Sequence, residues 1–245
     1  QDYKRREELR LLHHSCLDKV RLGYIDMSKK YYIMALNEES DCPTGFYYSV
    51  LAKDFEGVKG DYGYNPWYAG PKRYGGTLSP LPDKLILMEW KNYRYDVRKG
   101  AQYFYVISDK FEKCLPKIKH SFTEVKSIYC VDSEGFPRTD RFVFAAIPKK
   151  FKAETCLDPF KSKLISPRGI EYDSLHFKED WDFDLFDILN ISSSQASLIC
   201  SEEAKKVFED HGIRCVKYIP LSDINASMLP HMHELYRPIG FYDPV

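Results

Sequence analysis

The chain has 245 residues, with 36 Lys plus Arg set against 36 Asp plus Glu. That length buries a substantial core in one large domain or two intertwined small ones. The neutral balance supplies no global field toward nucleic acid or an anionic membrane, and no apolar run reaches the ~18 residues of a spanning helix.

In chain order, residues 3–21 read as a short helix, with Leu9, Leu12, Cys16 and Val20 at three- and four-residue spacing. The stretch before it has no apolar secretory core, and the chain opens on Gln1, so residues upstream can have been removed. Tyr31–Leu36 suits a buried strand, and residues 46–53 suit a second one. Between 56 and 82, glycines and prolines are too dense for a regular element. The aromatic residues Tyr62, Tyr64, Trp67, Tyr68 and Tyr74 argue for an ordered loop there, because disordered segments are aromatic-poor.

Further strands are expected at 85–90, 103–107, 125–131 and 141–147, the last stopped by Pro148. The run 151–189 is mixed, with short strand-like pieces. Residues 197–200 read as a strand, then a helix ended by Gly212, then a strand at 215–219. The tail from 225 carries three prolines and reads as irregular. Residues 1–100, 101–223 and 224–245 are therefore expected as three regions of one compact unit.

Two segments repeat. In VISDKFEKCLPKI and ICSEEAKKVFEDHGI an apolar strand runs into Ser108 or Ser201, an acidic residue follows, and apolar positions then coincide: Phe111 with Ala204, Cys114 with Val207, Leu115 with Phe208. Ser is a favoured N-cap, since its hydroxyl oxygen accepts an orphan N–H of the first turn. Asp109 and Glu202 complement the positive helix end. The expected fold is α+β: a mixed β-sheet with a duplicated strand, Ser-capped helix and strand unit, either parallel or split. Neither serine has a GxSxG setting or a His nearby in sequence, so both read as structural caps rather than nucleophiles.

The search for chemistry leaves little. Phosphate-binding glycine loops, HExxH and calcium-loop patterns are missing, and the His13-His14 and His231-Met232-His233 clusters read as surface or tail residues. No cofactor, metal or catalytic residue is assigned. The seven cysteines (16, 42, 114, 130, 156, 200, 215) are odd in number and irregular in spacing, which suggests buried thiols in a reducing compartment without disulfides.

Residues 171–187 hold Glu171, Asp173, Glu179, Asp180, Asp182, Asp184 and Asp187, interleaved with Phe177, Trp181, Phe183 and Phe186. Three readings stay open. It can be a solvated face, a surface for a basic protein partner, or a hydrolytic or metal site. The aromatic loop is likewise open between a lid, a recognition loop and, with Tyr64, Trp67 and Tyr68, a carbohydrate-binding module.

Over residues 103–223, the order YFYVISDKFEKCL, IYCVDSEG, FVFAAI, DSLHF, LFDIL and LICSEEAKKVFEDHGIRCVKYIPL resembles an immunity-protein family of bacterial polymorphic toxin systems. The resemblance implies a cytoplasmic protein, not an enzyme, that binds and neutralises a cognate toxin, with neither nucleic acid nor membrane as partner. It carries no catalytic residues. With the acidic segment it points to a basic toxin, met first by Glu179, Asp180, Trp181, Asp182, Asp184 and Phe186, and second by Tyr64, Trp67, Tyr68 and Tyr74.

Overall fold

The computed structural model describes residues 29–37, 42, 49–52, 83–89, 95–101, 104–165, 172–189, 191 and 198–224. The helix expected over 3–21, the aromatic loop with Tyr64, Trp67, Tyr68 and Tyr74, both His clusters and the tail from 225 lie outside those residues.

The class is α+β, built on two sheets. One has the order β11-β1-β10-β9-β8, and the other β2-β3-β6-β7-β5-β4. Their strands are β1 (Tyr31–Leu36), β2 (Ser49–Ala52), β3 (Ile86–Glu89), β4 (Val97–Ala101), β5 (Phe104–Ser108), β6 (Phe122–Val131), β7 (Val143–Pro148), β8 (Lys150–Lys152), β9 (Leu185–Leu189), β10 (Ile199–Ser201) and β11 (Val216–Pro220). Three helices accompany them among the described residues: α1 (Asp109–Glu112), α2 (Ala153–Cys156) and α3 (Glu202–Asp210).

The apolar runs reflect sheets covered on both faces, where strands lose their polar alternation. On β1, Ile33 and Ala35 face one core cluster while Met34 faces another. On β5, Tyr105 and Ile107 join that second cluster, and Phe104 and Val106 a third. The second cluster lies between the sheets and takes in both Ser-capped helices. There Phe111 of α1 and Phe208 of α3 stack at 4.8 Å. Each fully buried Phe contributes about 1.5–3 kcal/mol from area alone.

The repeat exists in three dimensions, in the split form. β5 and β6 flank β7 and are both antiparallel to it, so they run parallel to each other with α1 as their crossover. β10 and β11 flank β1 in the same way, with α3 as crossover. β4 then adds antiparallel to β5, and β9 to β10. The four-strand orders β6-β7-β5-β4 and β11-β1-β10-β9 therefore correspond, although the central strand follows the unit in one case and precedes it in the other.

The correspondence extends to single hydrogen bonds. Ser108 Oγ accepts from the Phe111 N–H at 3.1 Å, and Ser201 Oγ from the Ala204 N–H at 3.2 Å. Each hydroxyl donates to an aspartate that precedes the neighbouring strand: Ser108 to Asp96 at 2.6 Å, Ser201 to Asp184 at 2.9 Å. The Ser108 and Ser201 N–H groups donate to the carbonyls of those same aspartates, at 2.9 and 2.8 Å. Each carboxylate also reaches into the other unit. Asp96 accepts the Arg214 N–H beyond α3 at 2.6 Å, and Asp184 the Lys119 N–H beyond α1 at 2.9 Å. The two units are thus clasped reciprocally.

Several local expectations change. α1 is a single turn, because Pro116 has no N–H to continue an α-helix, and the chain goes on as a 3-10 turn at Leu115–Lys117. α3 closes with Gly212 at φ +61°, with the Ile213 N–H on the Phe208 carbonyl and the Gly212 N–H on that of Glu209, a Schellman ending. The disulfide-free expectation fails: Cys42 and Cys215 are bonded across 173 positions, their Cα atoms 5.4 Å apart. Long-range closure of this kind leaves no spacing signature. Cys114, Cys130, Cys156 and Cys200 are free and buried.

Candidate functional site

Residues 172–184 form an irregular strap ahead of β9, and local bonds fix its path. Leu157 bridges Phe177 and Leu164 bridges Tyr172. The Asp158 N–H donates to the His176 carbonyl at 2.8 Å, and the Lys178 N–H to that of Cys156 at 3.0 Å. The Lys178 ammonium bonds the Glu154 and Thr155 carbonyls at 3.1 and 2.8 Å, where the carbonyl end of α2 is open to a cation. The Trp181 N–H then closes a turn onto the Lys178 carbonyl.

This turn carries the aromatic residues inward. Trp181 meets Phe151 edge-on at 4.7 Å, Phe186 at 5.2 Å and Phe183 at 5.3 Å, and Tyr31 lies 4.6 Å from Phe177. The Tyr31 hydroxyl donates to the Trp181 carbonyl at 3.1 Å. Burial, reinforced by the carboxylates of Asp184, Glu203 and Asp182, pushes the Tyr31 phenol up, so it remains a donor. Such packed rings gain about 0.5–1.5 kcal/mol per pair beyond their buried area.

The strap sorts the acidic residues by depth. Glu179, Asp180 and Asp182 are exposed, the Glu179 side chain to 89 %. Glu179 lies 3.5 Å from Lys161, and Asp182 pairs with Lys119. Asp184 sits deeper, bonded to Lys29 at 2.7 Å besides its contacts to Ser201 and the Lys119 N–H. Burial raises its carboxyl, but those three bonds outweigh burial and hold it below the usual range. Asp187 is buried outright. It accepts from the Tyr105 hydroxyl of the facing sheet and pairs with Lys150, both at 3.1 Å.

Three of the suggested contact residues therefore change role. Phe186 is 0 % exposed within the core, so it offers a partner no surface. Asp184 is committed to the Ser201 clasp. Trp181 is partly buried as the keystone of the ring cluster rather than a projecting anchor. Glu179 and Asp182 point to separate lysines, and among the described residues no group of His, Cys, Asp and Glu is placed to hold a metal ion. Beside the strap, a cleft of about 420 Å³ is lined by Lys29, Lys30, Tyr31, Tyr32, His176 and Phe177.

Sequence reasoning missed a second site at the far end of β6. Glu89 lies under Arg138 and Arg141, at 3.3 and 3.1 Å, and Arg141 stacks on Tyr95 at 4.3 Å. Beside them Tyr129 and Phe142 stand exposed. The clue is in SIYCV, where Tyr129 alternates with the inward-facing Ile128 and Cys130.

The chain matches no protein-family model, and a search of curated proteins gave no match.

Proposed function

We propose that this protein is a stoichiometric binder of a basic protein toxin, an immunity protein acting in the cytoplasm. The observation that carries the reading is the ridge of Glu179, Asp180 and Asp182, exposed above a strap whose rings lock it in place; Glu179 and Asp182 meet Lys161 and Lys119, and Asp180 meets no cation among the described residues. Exposed like charges on a fixed support attract an oppositely charged partner and speed its encounter, and pre-ordering lowers the entropy lost on docking. The resemblance of residues 103–223 to immunity proteins supports the same reading.

The test is titration of the purified chain with the toxin encoded beside its gene. A 1:1 complex is expected, and absence of binding ends the proposal. Asp180→Lys with Asp182→Lys should slow association about tenfold at low salt, with little effect at high salt. An unchanged rate removes the ridge from the interface while leaving the toxin-binding function standing. Location has its own check. Disulfides rarely persist in the cytosol, so the Cys42–Cys215 bond should be reduced in rapidly alkylated cells if the protein acts there.

A further inference from the structure

The groove at the end of β6 has the composition of a protein-recognition site that the acidic ridge does not use. Its cavity is about 470 Å³, within the range of ligand pockets, and is lined by Ile86, Ile128, Val131 and Pro137 together with Tyr129 and Phe142. Tyr129 and Phe142 are 62 % and 66 % exposed, although both flanking strands are central in their sheet. Phe136, on the adjoining turn, is 62 % exposed. Three large rings held outward on neighbouring segments exceed the scatter of single exposed apolar residues on a surface.

The charged side chains that line the groove among the described residues are of one sign; Asp132 and Glu134, on the turn that carries Phe136, lie outside that lining. Among the described residues, Lys84, Arg138 and Arg141 line the groove, and no Asp or Glu does. Arg138 and Arg141 are neutralised from behind by Glu89, and Arg138 also by Asp140 at 2.9 Å. Lys84 lies 5.6 Å over the Tyr129 ring and meets no carboxylate among the described residues. Its neighbour Asp83 faces Lys126 instead, at 3.6 Å. Among these described groups, three cations against two carboxylates leave one net positive charge beside an apolar trough. That is too little for a nucleic-acid backbone, which needs several unneutralised cations along its track. Tyr, Phe and Arg with a single compensating charge are the composition of a protein-binding core.

We propose that this groove binds an extended protein segment in which an apolar or aromatic side chain is flanked by a carboxylate. The side chain enters between Tyr129 and Phe142, over Ile86, which pairs with Tyr129 on the same sheet face, and the carboxylate meets Lys84. The site is separate from the acidic ridge. Seven residues of β6 between Phe122 and Tyr129 span roughly 23 Å of strand. It therefore stands or falls apart from the toxin-binding reading.

The test is fluorescence anisotropy of the full chain with two labelled synthetic peptides, one alternating Phe and Glu, the other alternating Phe and Lys. The Phe–Glu peptide should bind at least about tenfold more tightly. Tyr129→Ala and Phe142→Ala should each weaken it about tenfold or more, the loss expected of a ring at the centre of a contact. Lys84→Glu should abolish the preference for the acidic peptide. All three positions are exposed, so unchanged thermal melting will show that the variants fold. Equal affinity for the two peptides overturns the proposal. So does binding that survives both alanine variants, or no binding up to about 1 mM peptide. Tighter binding of a labelled single-stranded RNA, lost in the same variants, would replace a protein ligand by a nucleic acid and equally overturn it.

Discussion

Asp184 shows how much of this structure depends on single residues that no local pattern marks. Its carboxylate accepts from Lys29, from the Lys119 N–H and from the Ser201 hydroxyl, and its carbonyl accepts the Ser201 N–H. Asp184→Asn keeps the size but gives up the charge, and should cost about 1–3 kcal/mol, a typical loss for hydrogen bonds to a charged group. The pH dependence follows from the direction of the shift. Because the folded carboxyl titrates below its unfolded value, its stabilisation is complete above the unfolded carboxylate range, near pH 4. It is lost as pH falls through the lower folded value. Urea midpoints from pH 6 down to pH 2.5 should therefore fall more steeply in the wild type than in Asp184→Asn. Parallel curves would show that the clasp does not stabilise the fold through charge. In the sequence this residue was legible only as one carboxylate of a run. What separates it from the exposed Asp182 is its place next to β9, opposite a serine 17 positions away.

At the scale of elements, the strand, Ser-capped helix and strand units could be read because every part of the signal is local. A cap, an acidic first turn and three-four spacing lie within about ten residues. What could not be read is what fills the middle of each unit. The centre of one is β7, which follows through the turn at Gly135, while the centre of the other is β1, from the far end of the chain. β4 also escaped reading, since Val97–Ala101 is written VRKGA and its Arg98 is buried. The two helices differ in what their caps hold. α3 has nine residues and a moderate apolar face, whereas α1 is one turn. Ser201→Ala should cost about 1–2 kcal/mol for the lost cap, with a further loss because Asp184 is deprived of its donor. Phe208→Ala removes the ring stacked on Phe111 and should cost about 3–5 kcal/mol. Because Ser201 and Phe208 belong to one helix packed on one cluster, the double variant should depart from additivity. Strict additivity in denaturant melts would mean that cap and ring stabilise separate units.

At the scale of the molecule, two similar units share one central core and are joined by reciprocal aspartates, with the two proposed binding surfaces at opposite ends of β6. The acidic strap could be seen in the sequence as a segment. Its division into an exposed ridge and a buried base depends on Phe151, Tyr31 and Phe186, which come from three different strands. The disulfide is the feature most remote from sequence, and it makes the sharpest whole-molecule prediction. Cys42 lies beyond β1, and Cys215 leads into β11, the strand that β1 pairs with, so the bond pins together two neighbours already in register. Closing 173 positions of chain restricts the unfolded ensemble strongly, and the chain-entropy account gives about 5 kcal/mol for a loop that long. Cys42→Ser with Cys215→Ser should lower the unfolding free energy by that amount, and reduction of the wild-type protein should lower it equally. The remaining free cysteines described are buried, so alkylation under native conditions should leave Cys114, Cys130, Cys156 and Cys200 unmodified. If the oxidised protein and the double variant unfold at the same denaturant concentration, pairing in the β1–β11 ladder alone holds these strands together, and the covalent link adds nothing to stability.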